Sequence, residues 1–342
     1  MNRKVFKPLA LLAVTCAVAV ACAQENTKST GEKAKEYLEL FIQKYYPYVT
    51  PNEYGIFVLE ETPGTGKVWS PDSAYTYAHS TIRTLSGTIS STTDETLSKQ
   101  LGTYAFGNYY GPRFQATGEN ISYAGVDALL KGMRMGGSRR AIVPAWLLTT
   151  SRFSTTQEYL DACTTDAHLE YTVTIYNQNN DISRTEIDSL SRYVLARYPG
   201  QKPVSFTEEE PDGSFYFVSD SSAFIGKHKF STDTTLLLNY TGRLLNGQVF
   251  DTTVERVAKD AGIYNAGRTY EPQSVTVTSD YKSITMGGSS SLITGFKAGI
   301  GQMKWLGQKA IILFTSEHGY TSNGSGQTIP PYSPLIFELE LL

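Results

Sequence analysis

Nine residues in the second half of the chain have types and an order that could carry chemistry: Tyr240, Phe250 and Asp251, then Leu292, Ile293, Phe296, Tyr320, Ile329 and Phe337. Most are apolar, one is an acid, and two bring phenol hydroxyls. Such a set supplies neither a nucleophile nor metal ligands. What it can do is line a cavity that strips water from a polar group, grip it with one or two hydrogen bonds and select a conformation by fit. Each residue also has a plain structural reading. Phe337 and Ile293 suit the core of a strand and the start of a helix, Tyr240 a buried strand aromatic, and Asp251 a turn after a strand.

Other constellations offer less. His79, His168, His228 and His318 are scattered without metal-ligand spacing, so no metal and no cofactor are expected. His318, two residues before Tyr320, reads as a solvated turn histidine or a neighbour of the cavity rim. Cys163 has no nearby partner that would make it a nucleophile and reads as an idle or buried thiol. Met286-Gly287-Gly288-Ser289 lacks the Lys and the strand-to-helix context of a phosphate loop. Gly64-Thr65-Gly66 and Gly136-Gly137 read as turns, and Arg139-Arg140 is too small to grip a polyanion.

The elements that must position the nine residues repeat. Val58, Lys67, Thr81, Gly87, Thr92 and Thr93 return 160 positions later as Val218, Lys227, Thr241, Gly247, Thr252 and Thr253. Gly125, Ala128, Met133 and Gly137 return at an offset of 170 as Gly295, Ala298, Met303 and Gly307. The second copy has therefore gained about ten residues between the two blocks. Leu169–Ile175 and Leu335–Leu341 alternate as half-buried strands and close each copy. Apolar residues and glycines from Gly295 to Trp305, and from Gly125 to Met135, fit one short helix in each.

A helix precedes each copy. Ser29 with Glu32, and Ser183 with Glu186, have capping-box spacing. Ala34, Tyr37, Leu38, Phe41, Ile42 and Tyr45 form an apolar stripe on the first helix; Ile187, Leu190, Tyr193 and Val194 form a shorter one on the second. Tyr46-Pro47 and Tyr198-Pro199 end them, because proline cannot continue a helix.

The chain has 342 residues, 40% hydrophobic and 18% charged, enough for two domains with cores of their own. Arg3, Lys4 and Lys7 precede an apolar run from Pro8 to Ala21 that is too short to span a bilayer. This is the pattern of an export signal. Small residues before Cys22 resemble a bacterial lipobox, with Ala19 where Leu is usual, so Cys22 is the expected lipidation site. Ala21-Cys22-Ala23 also fits ordinary cleavage leaving Gln24 first. The remaining chain carries 27 basic against 33 acidic residues, a net charge of −6, so nucleic acid is not an expected partner. With Cys16 in the signal and Cys22 acylated, Cys163 has no partner for an intramolecular disulfide.

In order, the second copy reads Asn239-Tyr240-Thr241-Gly242, Asn246 to Asp251, Leu292-Ile293-Thr294-Gly295-Phe296, Gly301-Gln302-Met303, Tyr320, Ile329-Pro330-Pro331 and the closing strand. From Leu236 onward this resembles the FKBP-type peptidyl-prolyl cis/trans isomerases. The resemblance implies an α+β fold, a curved antiparallel sheet wrapped on a short helix with a pocket between them. It implies a pocket walled by Tyr240, Phe250, Asp251, Ile293, Tyr320 and Phe337, floored by Phe296, with Leu292 and Ile329 beside it. Asp251, Tyr320 and Phe250 would carry catalysis, and Tyr240, Leu292, Ile293, Phe296, Ile329 and Phe337 would bind substrate. An X-Pro amide rotates over a barrier of about 18–20 kcal/mol, which a fitted apolar pocket lowers by binding the twisted form. Tyr320 and the Ile293 N–H would hold peptide carbonyls. Three departures stand out: Phe296 where Trp is frequent, Ser325 where better-known members have His, and an insertion over 254–282. The insertion ends in Tyr281-Lys282, where a rim Phe is expected, and its Ser274–Thr278 alternation suggests an extra strand or flap.

At the same offset the first copy has Ser80 for Tyr240, Ile82 for Gly242 and Ser90-Ser91 for Phe250-Asp251. Val126 replaces Phe296, a polar loop runs from Arg152 to Cys163, and only Tyr171 keeps an aromatic, at the Phe337 position. The expected organisation is a signal at 1–21, a lipid tether at 22–31, a diverged FKBP-like domain with its helix at 32–179, a linker helix at 180–205 and the isomerase domain at 206–342. The expected function is prolyl isomerisation assisting the folding of exported proteins. The alternative is a non-catalytic FKBP-like binding or scaffold lipoprotein. A lipid-anchored monomer at the periplasm or outer membrane is expected, with proline-containing polypeptides as partners.

Overall fold

Residues 28–118, 121–207, 209–219 and 229–342 are described by a computed structural model of the chain. Cys22, the signal-like segment, Lys227 and His228 lie outside the described residues. No helix among those described is long and apolar enough to cross a membrane.

Ser29 opens α1 (Thr30–Tyr45) with the expected capping box: its hydroxyl accepts from the Glu32 N–H, and the Glu32 carboxylate accepts from the Ser29 N–H. Ala34, Leu38 and Ile42 are buried, while Tyr37 and Tyr45, at the margins of the stripe, remain more than half exposed. His168 pins the helix. The Ala145 N–H donates to its Nδ1 (3.0 Å), which puts the ring proton on Nε2, donating to the Ala34 carbonyl (2.9 Å).

The first module continues as β1 (Phe57–Thr62), β2 (Tyr75–Thr84), β3 (Ile89–Thr92), α2 (Glu95–Gln100), β4 (Arg113–Ala116), α3 (Ala124–Leu130), β5 (Ser138–Val143), α4 (Thr156–Asp161) and β6 (Leu169–Asn179). After α5 (Ile182–Arg197), the second comprises β7 (Phe215–Val218), β8 (Thr234–Leu244), β9 (Val249–Thr252), α6 (Glu255–Asp260), β10 (Gln273–Val277), β11 (Thr285–Met286), α7 (Thr294–Gln302), β12 (Lys309–Phe314) and β13 (Leu335–Leu341). Each module has an antiparallel sheet of one topology. The first runs β1-β5-β6-β2, with β3 and β4 sharing the far edge of β2. The second runs β7-β12-β13-β8, with β9 and β10 sharing the far edge of β8 and β11 added beyond β10.

The repeated threonines now have a physical account. Thr81 and Thr92 meet hydroxyl to hydroxyl at 2.7 Å, as Thr241 and Thr252 do at 2.8 Å. Thr93 Oγ1 accepts from the Ser80 N–H and Thr253 Oγ1 from the Tyr240 N–H. These pairs fix the same bulged register in both modules: Ile82 faces Ser91 and Tyr171, and Gly242 faces Asp251 and Phe337.

The segment expected as an insertion forms α6 and β10, and it has a counterpart in the first module. Tyr104 stacks on Tyr110 (5.3 Å) as Tyr264 stacks on Tyr270 (5.4 Å). Lys99 pairs with Glu95 as Lys259 pairs with Glu255. The flap is thus common to both modules, and the stretch around β11 is the second module's addition.

Three other expectations change. The short helices stop earlier than the sequence suggested, at Leu130 and Gln302, and Trp305 forms an isolated bridge to Lys229 instead. The loop from Arg152 to Cys163 holds α4, started by a Thr155–Glu158 capping box. The Ser183–Glu186 box does not form. Asp181 caps α5 by accepting the Arg184 N–H, and Glu186 is buried, accepting from the Ser316 N–H (2.5 Å) and hydroxyl (2.6 Å). Burial pushes the Glu186 carboxyl above its usual range, with the Ser316 bonds acting against it. Leu190 and Val194 of this helix, read as a linker, pack with Tyr216, Leu313 and Ile336 of the second sheet.

Candidate active site

All nine residues singled out in the sequence line one cavity of about 390 Å³ in the second module, joined by Met286, Ser291, Ser325 and Thr328. Four elements and two loops contribute. β8 carries Tyr240, β9 carries Phe250 and Asp251, α7 carries Phe296 just after Leu292 and Ile293, and β13 carries Phe337. Tyr320 and Ile329 come from the connection between β12 and β13.

The aromatic cluster is tight. Phe337 lies 4.9 Å from Phe296 and 5.5 Å from Phe250, ring to ring, and Tyr240 meets Phe296 edge-on at 5.5 Å. Phe296, Phe337, Tyr240 and Ile329 are buried, whereas Phe250, Leu292, Ile293 and Tyr320 are half-buried and form the accessible rim. Gly242 makes this possible. A Cβ there would lie 2.4 Å from the Phe250 ring and 3.0 Å from that of Phe337, so only the absence of a side chain lets both rings cross β8. Likewise a Cβ at Gly295 would fall 2.5 Å from Phe314, so the glycine lets α7 lie directly against β12.

Asp251 is held from three sides. The Tyr240 hydroxyl donates to Oδ2 (2.6 Å), Arg268 pairs with Oδ1 (2.5 Å), and the Thr252 N–H also reaches Oδ1 (2.8 Å). Both carboxylate oxygens are thus engaged and the side chain is fixed in orientation. Burial, and then Asp251 beside it, raise the Tyr240 hydroxyl above its ordinary range. Burial and the same carboxylate raise that of Tyr320, so both phenols stay protonated. Neither the Tyr320 hydroxyl nor the Ile293 N–H, at the N-cap of α7, donates to an acceptor among the described residues. Both remain available at the cavity.

Arg268 escaped the sequence reading. It lies 17 residues beyond Asp251, in the flap, stacked on Tyr270. A signal existed: the flap repeats at the 160 offset, and Arg268 replaces Asn108 between the matched tyrosines. Two rim expectations fail. Tyr281 packs on Phe206 at 5.4 Å beside Gly301 of α7, and Met286, returned by β11, takes the place at the cavity. His318 is half-buried, with Nε2 3.0 Å from the Ser214 hydroxyl and its ring 5.0 Å from Phe206, and burial lowers its pKa.

The first module fills the same place differently. Ile82 puts a branched side chain where Gly242 leaves room for two rings, and Tyr171 lies opposite it. Arg152 pairs with Asp127 at 2.5 Å, and the Ser122 hydroxyl donates to the same carboxylate. A polar network thus stands where the second module has Leu292 and Lys297.

Residues 226–342 match the family of FKBP-type peptidyl-prolyl cis-trans isomerases. The chain is similar to FK506-binding protein 1A of Aspergillus fumigatus, 34% identical over 105 residues that make up 31% of this chain and 72% of that protein. It is 33% identical over 107 residues to an FK506-binding protein of Neisseria meningitidis serogroup B, covering 31% of this chain and 76% of the relative. A crystal structure of a peptidyl-prolyl cis-trans isomerase from Pseudomonas syringae superposes with a TM-score of 0.31 at 21% identity, over 47% of this chain and 91% of that one.

Proposed function

Because the chain belongs to the family of FKBP-type peptidyl-prolyl cis-trans isomerases, and so is an enzyme acting on proline-containing polypeptides, we propose that the activity resides in the second module, at the cavity around Phe337. The observation that carries this reading is that Tyr240, Phe250, Asp251, Phe296, Tyr320 and Phe337, far apart in the chain, line one largely apolar cavity with a single oriented carboxylate.

The catalysis proposed follows from that geometry. Proline enters between Phe250, Phe296, Phe337 and Ile329, where no solvent favours the planar, polar amide. The Tyr320 hydroxyl and the Ile293 N–H hold carbonyls on either side. Asp251, kept in place by Tyr240 and Arg268, sits at the edge of the cavity, where rotation redistributes charge on the amide. No bond is made or broken, so removal of the amide from water and fit to its twisted form, with Asp251 at its edge, supply the rate enhancement. The first module, with Ile82 and the Arg152–Asp127 pair in place of these groups, does not isomerise proline. The proposed setting is the cell envelope, with the protein exported, anchored through a lipid on Cys22 and assisting the folding of exported proteins.

The test is refolding of a protein limited by proline isomerisation. Wild type should shorten a phase that takes tens to hundreds of seconds unaided, and Asp251→Ala, with unchanged thermal unfolding, should shorten it much less. Equal acceleration by the two proteins would move the activity away from this cavity.

A further inference from the structure

The segment from Ser325 to Pro331 has two faces. Toward the substrate cavity it presents Ser325, Thr328 and Ile329, closed on itself by reciprocal bonds between Ser325 and Ile329 (2.8 and 3.1 Å). Its other side meets the first module. The Tyr109 N–H donates to the Gln327 carbonyl at 2.7 Å, and Pro330 and Pro331 face Tyr109 and Phe114 across a second cavity of about 230 Å³. Tyr332 packs edge-on against Tyr75 at 5.1 Å. The opposite wall is reached from the same flap. Gln248, two residues before Phe250, donates its side-chain amide to the carbonyls of Gly107 (3.1 Å) and Asn108 (3.0 Å). Phe106 covers Gly262 so closely that a Cβ there would sit 2.7 Å from its ring.

One short run of the first module, 106–109, therefore touches the outside of both walls of the cavity. Its grips are mostly backbone groups, which give fixed distances with little side-chain freedom. We propose that the first module is a positioning element for the isomerase site, setting the separation between Ile329 and the Phe250–Asp251 wall. The inference rests on the reading of that cavity as the isomerase site. It gives a module without the chemistry a part in the reaction: the same walls grip the proline in the bound substrate and in its twisted form, so a wall misplaced by about 1 Å weakens substrate binding as well as transition-state fit.

Gln248→Ala in the full chain removes both side-chain bonds and alters none of the residues that line the cavity, while Gln248→Lys keeps a donor facing the two carbonyls. The readouts are KM and kcat on an X-Pro peptide and amide hydrogen exchange at Ile329. Gln248→Ala should raise KM about three- to tenfold and speed exchange at Ile329, and Gln248→Lys should stay near wild type in both. Loss of folded protein would lower the apparent kcat without moving KM. A KM within twofold of wild type in Gln248→Ala overturns the proposal, whatever exchange does. If wild type itself fails to isomerise proline, the assignment of the site fails, and exchange at Ile329 decides the bracing alone, faster exchange supporting it and equal exchange overturning it.

Discussion

Gly242→Ala is the smallest change that should close the proposed site. The added Cβ would lie 2.4 and 2.5 Å from two ring carbons of Phe250 and 3.0 Å from Phe337, against an optimal carbon contact of about 3.5–4.0 Å. One ring must retreat by about 1 Å or more. Phe337 is buried in β13 between two paired strands, whereas Phe250 is the half-buried residue of a bulge, so Phe250 moves. Overpacking of this kind costs about 1–3 kcal/mol of stability, while displacing a wall of the cavity by about 1 Å should lower kcat/KM on the order of 10- to 100-fold. Protease-free relaxation of a cis X-Pro peptide measures the activity, and chemical denaturation the stability. Adding Phe250→Leu should recover stability without activity, because it removes the clash and the wall together. A folded Gly242→Ala protein with kcat/KM within threefold of wild type would refute the reasoning, since the crowding of two rings over β8 would then have no bearing on turnover.

Arg268→Ala should lower kcat/KM about two- to fivefold at low salt, with the deficit shrinking at high salt, because the Asp251 pair is partly exposed. Rates at two ionic strengths check it. Burial lowers the His168 pKa, so the unfolded chain binds a proton that the folded chain resists; this contribution is full above about pH 6.5 and is lost on acidification, by at most about 1.4 kcal/mol per pH unit. Denaturant melts of wild type and His168→Gln from pH 7.5 to 5 should differ in slope. Cys22→Ser should abolish fatty-acid labelling and release the protein from membranes; unchanged labelling would remove the proposed anchor.

Much of the fold was legible because the determinants are local. The Ser29 cap, the alternation of Leu335–Leu341 and of Ser274–Thr278, and the repeated threonines each read out within a few residues. Local signals misled where a distant group competed for the same atoms. Glu186 has capping-box spacing, but Ser316, 130 positions away, binds it, and Asp181 takes the cap. The apolar wall of the site and the Tyr240–Asp251 pair followed from residue types in order, whereas Arg268 did not, since a flap whose Tyr264 stacks on Tyr270 carries it back to Asp251 from 17 residues away. The contacts between modules were out of reach altogether. Their hydrogen bonds run mostly through the Tyr109 N–H and the Gly107, Asn108 and Gln327 carbonyls, backbone groups that carry no mark of residue type.

The segregation of the two cores in the chain, one formed from residues up to Ile175 and the other chiefly from Leu190 onward, sets an order of events at birth. The first module can complete its core before the second has been made, and at about 5–20 residues per second the remainder follows over roughly 8 to 35 seconds. When Gln248 and Gln327 emerge, whether from a ribosome or across a membrane, the module that meets them can already have its core in place. The later module then closes around a finished template, and the slow pairing of β8 with β13, nearly a hundred residues apart, takes place beside a surface that favours the native spacing.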